Sequence, residues 1–126
     1  MLDLIIKNGQ CYLNKKLIKT NIGVQNGKIS IIGDLNNEQS KQTIDVNNLL
    51  VLPGCMDTQV HFREPGSTNA EDLHTGSKAA IAGGITSVFE MPNTNPPTAN
   101  MKEFNNKLNL AKNRICLLYT SPSPRD

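Results

Sequence analysis

Apolar and polar residues alternate along the first part of the chain. The segment LDLIIKNG, which starts at Leu2, places an apolar residue at every second position, and a similar alternation runs through residues 22–33 on both sides of Asn26-Gly27. A period of two residues indicates strands with one buried face. Asn-Gly between two such strands favours a tight turn, because both residues tolerate positive φ. Residues 1–52 are therefore predicted to be β-rich, with a hairpin at Asn26-Gly27.

The period of the pattern changes after Pro53. A short strand, CMDTQVHF, is followed by residues 67–84, which predict a helix that starts at a capping box of Thr68 and Glu71. A second strand, ITSVFEMP, precedes a predicted helix over residues 99–114. The helical spacing of apolar residues predicts that the buried face of this second helix contains Met101, Phe104, Leu108 and Ala111.

Strands that alternate with helices of this length indicate βα units and a parallel sheet. Two such units neither close a barrel nor cover both faces of a parallel sheet, so the predicted α/β fold is incomplete. The sequence divides into a β-rich segment (residues 1–52), a βα segment (53–116) and the stretch 117–126. This last stretch turns abruptly rich in Ser and Pro and is interpreted as a non-native or disordered tail.

Composition and charge exclude several classes of function. The 126 residues include 13 basic and 11 acidic ones, and a net charge of +2 is too balanced to indicate a nucleic-acid or acidic-membrane partner. No apolar run is long enough to span a bilayer, and the N-terminus lacks the pattern of a secretory signal. The three widely spaced cysteines form neither a disulfide framework nor a CxxC motif, which favours a reducing compartment and a cytoplasmic protein.

Candidate chemistry is concentrated at the end of the strand that follows Pro53. Side chains two residues apart point the same way on a strand, so Gln59, His61 and Arg63 are predicted to form one row. In βα folds, the carboxyl ends of parallel strands are where active sites are built. A pair of ligands at this spacing can hold one metal ion, and imidazole is the usual nitrogen ligand. The planar fork of Arg63 suits a carboxylate.

Each of these residues also has a simpler structural interpretation. His61 could be a hydrogen-bonded structural histidine, and Arg63 could pair with Glu64 or Glu71. Asn93, in the loop MPNTNPP, could serve only as a turn former, since asparagine is common in turns.

Two stretches of the chain resemble a known family. PGCMDTQVHFREPG and EDLHTGSKAAIAGGITSVFEMPNTNPPT are similar to the opening of amidohydrolase superfamily members, and to dihydroorotases in particular. The resemblance extends over roughly residues 1–116. Allantoinases share the architecture but usually carry Asn or Asp at the position of Arg63 and MPLN in place of MPNT. Arg63 together with the MPNT motif at Met91 therefore favours the dihydroorotase type.

The resemblance implies a (β/α)8 barrel that binds one or two zinc ions, with a small β-sandwich domain beside it. The N-terminal strands of this chain would belong to the sandwich, and residues 53–116 would open the barrel. The implied reaction is the reversible cyclisation of N-carbamoyl-aspartate to dihydroorotate, a step of pyrimidine biosynthesis. In the hydrolytic direction, water activated by the metal attacks the ring amide.

The resemblance also assigns roles by position. His61 matches the second histidine of an HxH pair of metal ligands, and Arg63 and Asn93 match the groups that hold the substrate carboxylate. Gln59 stands where the first metal histidine of the family is expected, and an amide oxygen is the weaker ligand. The other metal ligands and the catalytic aspartate of the family lie on later strands, so this chain contains no catalytic residue and is predicted to be inactive alone.

Two alternatives accompany this interpretation. Gln59 favours a non-catalytic dihydroorotase-like subunit, which would serve as a structural partner, for instance of a carbamoyltransferase or in a homo-oligomer. An allantoinase-type cyclic amidase is the second alternative, and Arg63 disfavours it.

Overall fold

The structure is a computed structural model that describes residues 1–120. The chain divides into two compact units, Met1–Pro53 and Gly54–Asp126. Among the described residues, no helix has the length and apolar character needed to cross a membrane.

The first unit is a five-stranded sheet with the order β3-β2-β1-β4, in which β5 also pairs with β1. The pairs β1–β2 and β2–β3 are antiparallel, whereas β4 and β5 run parallel to β1. The strands are β1 (Leu2–Leu13), β2 (Lys16–Gln25), β3 (Lys28–Gly33), β4 (Ser40–Asp45) and β5 (Leu50–Val51).

The hairpin predicted at Asn26-Gly27 is confirmed. Gln25 pairs with Lys28 across the turn, and φ is 51° at Asn26 and 71° at Gly27. Positive φ at both central residues is the requirement that Asn-Gly meets at low cost. The burial of β1 differs from the simple alternation, because Leu2 and Ile5 pack with Leu35 in one buried cluster. A bulge in β1 then shifts the register with β2, and such a bulge interrupts a strict two-residue period.

The second unit is a parallel sheet in which each of the first two strands is followed by a helix. Its elements are β6 (Cys55–Val60), α1 (Leu73–Ala82), β7 (Ile85–Glu90), α2 (Met101–Ala111) and β8 (Leu118–Thr120). The strand order is β6-β7-β8, with both pairs parallel. Strand β8 occupies residues that the sequence analysis assigned to the tail 117–126, and the rest of that tail, residues 121–126, lies outside the described residues.

Helix α1 begins later than predicted. Residues 64–66 and 68–70 form turns, and the helix starts after Asp72, so the predicted capping box of Thr68 and Glu71 is wrong. The Asp72 carboxylate accepts a hydrogen bond from the Thr75 amide at 2.7 Å, and the Thr75 hydroxyl accepts one from the Asp72 amide at 3.2 Å. Asp72 and Thr75 therefore form the reciprocal cap that stabilises this helix end.

The core of the second unit lies between the sheet and its helices. Its buried members, Phe62, Leu73, Val88 and Ala111, are surrounded by the partly buried Val60, Ile85, Ile115 and Leu117. Gly76 of α1 comes especially near to this core. A Cβ atom at that position would lie 2.9 Å from the ring of Phe62 and 2.8 Å from the carboxyl carbon of Glu71, so a larger residue fits only if these side chains move.

The face of α2 that is buried differs from the predicted one. Met101 is 67% exposed and Leu108 is 38% exposed, whereas Ala111 is buried as expected. Lys107, one turn before Ala111, is fully buried, and its ammonium forms an ion pair with the equally buried Glu90. The buried stripe of α2 therefore contains a paired charge that apolar spacing cannot reveal.

Candidate active-site edge

The three residues predicted to form a row lie at the carboxyl end of β6 and just beyond it. The strand ends at Val60, so Gln59 is its penultimate residue and His61 and Arg63 follow it. The alternation nevertheless continues past the strand, because Val60 and Phe62 pack in the core of the second unit. Gln59, His61 and Arg63 are all exposed, and the register of β6 with β7 is irregular between Asp57 and Val60, so that the row including Gln59 stays a prediction.

The loop that follows β7 brings Asn93 to this edge. The Asn93 side-chain oxygen Oδ1 lies 2.8 Å from Nδ1 of His61, within hydrogen-bonding distance. The backbones of the two loops are also joined. The Met91 amide donates to the Val60 carbonyl at 2.8 Å, and the Asn95 amide donates to the Pro65 carbonyl at 3.0 Å. The HFREPG and MPNT motifs thus form one continuous surface at the end of the parallel sheet.

The MPNT loop is held by its own hydrogen bonds. The amides of Thr94 and Thr98 both donate to the Pro92 carbonyl, each at 2.9 Å. The Thr94 hydroxyl donates to the Pro96 carbonyl at 2.9 Å and lies 3.1 Å from the Thr98 hydroxyl. Asn93 contributes no side-chain bond to this turn network among the described contacts, because its side chain is directed to His61.

Glu64, in the middle of the HFREPG motif, has a structural role that sequence reasoning missed. It is buried, and its carboxylate accepts two hydrogen bonds from the Arg114 guanidinium, at 2.8 and 2.9 Å. It also accepts one from the Leu73 amide at the start of α1, at 2.9 Å. The bonds from Arg114 are the main reason that the pKa of Glu64 is lowered, against the opposing effect of burial.

This arrangement bears on the predicted ion pairing of Arg63. The Glu64 carboxylate, one of its two predicted partners, is occupied by Arg114. Arg63 itself is exposed, and within residues 1–120 no hydrogen bond or ion pair engages its guanidinium. Its planar donor fork is therefore available to a ligand.

The buried ion pair of Glu90 and Lys107 lies next to the same edge of the sheet. Glu90 is the last residue of β7, pairs in register with Val60 and immediately precedes Met91 of the MPNT loop. Its ion pair with Lys107 joins the end of the strand to α2. The burial of Lys107 could not be predicted from the sequence, because it depends on Glu90, which lies 17 residues earlier in the chain.

The donor atoms of His61 and Gln59 are of types that can bind zinc, but two ligands do not complete a zinc site. His61 offers an imidazole and Gln59 an amide oxygen, whereas zinc sites in proteins contain three or four protein ligands. Within the described part of the chain, no three His, Cys, Asp or Glu residues are grouped so that they could hold a metal ion. The two residues would thus be one part of a ligand set whose other members lie elsewhere.

Comparison with known proteins places this geometry in a family. Residues 50–125 match the sequence profile of the amidohydrolase family. A dihydroorotase from Methanosarcina acetivorans is 46% identical over 115 residues, which is 90% of this chain and 25% of that protein. An allantoinase from Salmonella choleraesuis is 41% identical over 116 residues, or 91% of this chain and 25% of that protein. The chain thus spans about a quarter of the length of the curated relatives that it matches.

Solved structures support the same assignment. An L-hydantoinase from Arthrobacter aurescens matches 98% of this chain and 28% of its own, with a TM-score of 0.90 and 30% identity. A D-aminoacylase described as having a binuclear metal centre matches 71% of this chain and 18% of its own, with a TM-score of 0.57 and 25% identity. The predicted fold class, an α/β segment that opens an amidohydrolase barrel after N-terminal strands, is confirmed. Because the family profile covers more than half of its residues, this protein belongs to the amidohydrolase family.

Proposed function

We propose that the chain is the N-terminal part of a dihydroorotase-like cyclic amidase, which interconverts N-carbamoyl-aspartate and dihydroorotate in pyrimidine biosynthesis. The observation that carries the proposal is the available guanidinium of Arg63, two residues after the His61–Asn93 pair. Dihydroorotate differs from allantoin and from simple hydantoins in carrying a carboxylate beside its ring amide. A free arginine fork next to a candidate metal ligand suits that substrate.

Each residue of the edge has a role in this proposal. Arg63 binds the substrate carboxylate through two parallel N–H bonds, and the Asn93 amide group donates to the same carboxylate. His61, with Gln59 as the weaker donor, contributes to binding zinc. A zinc ion held there would supply Lewis-acid chemistry, which polarises an amide carbonyl and lowers the pKa of water. The proposal includes a small-molecule substrate and a location in the cytoplasm.

The test uses the complete protein, of which this chain would form the N-terminal strands and the first strands of the barrel. We expect hydrolysis of dihydroorotate and no comparable hydrolysis of allantoin or hydantoin. Arg63→Gln should raise KM for dihydroorotate far more than Lys78→Gln, which removes the same charge from an exposed position of α1. A complete protein that prefers allantoin, or an Arg63→Gln variant with unchanged KM, would contradict the proposal.

A second candidate function rests on Gln59. A protein that lacks the first imidazole of the pair could be a non-catalytic dihydroorotase-like subunit, which binds a carbamoyltransferase or another copy of itself. This candidate predicts that the complete protein retains no zinc and turns over none of the three cyclic amides. It further predicts that the protein co-elutes with a carbamoyltransferase when the two are mixed in purified form.

A further inference from the structure

The contact between His61 and Asn93 determines which nitrogen of the His61 ring carries the proton. The atom of Asn93 that approaches the ring is the amide oxygen Oδ1, at 2.8 Å from Nδ1. An amide oxygen can only accept a hydrogen bond, so the ring nitrogen must donate and carry the proton. In a neutral imidazole the other nitrogen, Nε2, then keeps the lone pair that a metal or an acid would use.

We propose that Asn93 is a positioning residue that sets the tautomer of His61 and reports substrate binding to it. Its oxygen holds the ring in the Nδ1–H form, and its NH2 group donates to the substrate carboxylate. The inference rests on the proposed function for the identity of that anion, but the tautomer follows from the contact alone. One amide thereby serves two neighbours through its two ends.

The NH2 end of Asn93 is available for this role. No residue in the described part of the chain accepts a hydrogen bond from Asn93 Nδ2, although the amide oxygen is engaged. The backbone bonds from Met91 to Val60 and from Asn95 to Pro65 flank Asn93 on both sides. The amide is therefore positioned before any ligand arrives, which reduces the cost of ordering it on binding.

The two bonds of the amide should strengthen each other. A carboxylate that accepts from Nδ2 polarises that N–H bond and pushes electron density through the amide toward Oδ1. The oxygen thereby becomes a stronger acceptor, as in other chains of hydrogen bonds. A stronger bond at Nδ1–H makes Nε2 of His61 a more basic ligand, which is how partners behind metal-bound histidines act. Substrate binding at Arg63 and Asn93 is in this way coupled to the ligand strength of His61.

The tautomer can be read by NMR of the 126-residue chain with 15N-labelled histidine, through correlations between ring nitrogens and carbon-bound protons. The measurement is made near pH 9, well above the ordinary imidazole pKa of about 6.5. We expect His61 in the wild type to show the Nδ1–H pattern. In Asn93→Ala that pattern should give way to the average of a solvated histidine, in which Nε2–H predominates.

Two further variants and an internal reference make the result specific. Asn93→Asp should keep the Nδ1–H form, because a carboxylate also accepts, and Asn95→Ala should leave His61 unchanged, although it alters an asparagine of the same loop. His74 supplies the reference, since its Nδ1 lies 3.0 Å from the Arg114 carbonyl, which also can only accept. The His74 signal must stay the same in every folded variant.

Two outcomes overturn the proposal. One is an Nε2–H pattern for His61 in the folded wild type, and the other is an Nδ1–H pattern that survives in Asn93→Ala. If Asn93→Ala loses the His74 signal and so has unfolded, the wild-type pattern alone decides. The readout needs neither metal nor substrate. A complete protein that fails to hydrolyse dihydroorotate would therefore refute the proposed function and leave the tautomer assignment standing.

Discussion

Glu64 and Arg114, 50 residues apart, form a two-pronged ion pair that ties the HFREPG loop to the turn after α2. Glu64 is buried and also accepts from the first amide of α1, so three segments meet at one carboxylate. Arg114→Met should leave that carboxylate without its cation. We expect a lower free energy of unfolding, because the buried carboxylate loses the partner that offsets its burial, although solvent at the partly exposed guanidinium screens the pair.

The loss can be measured by urea denaturation of the 126-residue chain. Lys112→Met is the matched control, because it removes a cation from an exposed position two residues earlier. Its free energy of unfolding should change by no more than about 0.5 kcal/mol. Equal effects of the two substitutions would mean that the Glu64–Arg114 pair does not stabilise the fold.

The same pair predicts how stability depends on pH. Hydrogen bonds from Arg114 hold the pKa of Glu64 below its ordinary value of 4.5 in the folded chain. The folded state therefore favours the carboxylate more than the unfolded state does, and this contribution is complete above pH 4.5. It is lost as the pH falls below 4.5 through the folded pKa, because the unfolded chain takes up the proton first.

The check compares the free energy of unfolding of the wild type and Glu64→Gln between roughly pH 6 and pH 3. The difference in the free energy of unfolding between the wild type and Glu64→Gln should shrink as the pH falls. Parallel curves would show that Glu64 does not titrate differently in the two states. Asp72, whose pKa is lowered mainly by its bonds from Thr75, also lies 3.7 Å from Arg114, so it shares that cation with Glu64 and contributes to the difference.

The buried pair of Glu90 and Lys107 should be sensitive to the loss of one partner and tolerant of the loss of both. Lys107→Met removes the cation from a fully buried carboxylate, and such changes cost about 3–5 kcal/mol. The double variant Lys107→Met with Glu90→Gln should recover much of that loss, since no buried charge remains. Denaturation midpoints of the single and double variants test this, and a double variant no more stable than Lys107→Met would contradict it.

Gln59→His in the complete protein should raise zinc retention. An imidazole replaces an amide on the same row as His61, and changes even behind the ligands of a metal typically alter affinity by about 10–100-fold. Zinc content after dialysis against a weak chelator measures the change. Thr58→His is the matched control, because it places an imidazole at the neighbouring exposed position of β6. Equal retention by Gln59→His and Thr58→His would mean that position 59 does not contact the metal.

The sequence predicted the features that depend on local chemistry. The Asn26-Gly27 turn formed as expected because its φ values are a property of those two residues. His61 and Arg63 alternate with Val60 and Phe62 beyond the strand, because Val60 and Phe62 pack in the core while His61 and Arg63 stay exposed. The order of strands and helices followed from the change in period near Pro53.

The features that the sequence did not predict depend on partners distant in the chain. Thr68 and Asp72 are both acceptable helix caps, and only the turns that precede Asp72 decide between them. Lys107 is buried because Glu90 lies opposite, which apolar periodicity cannot register. Arg114 could not be assigned to Glu64 either, since nothing in a single sequence marks a pair 50 residues apart.

Gly76 constrains how this protein can change over time. Its missing side chain lets α1 approach the ring of Phe62, and any larger residue would displace that ring. Phe62 lies between His61 and Arg63 in the chain, so the packing at position 76 bears on the segment that carries a candidate metal ligand and a candidate carboxylate-binding group. A substitution at position 76 therefore requires the Phe62 ring and the Glu71 side chain to rearrange. The residue allowed at this position of α1 is thus restricted by packing against the loop that carries the candidate site, although position 76 is not itself part of that site.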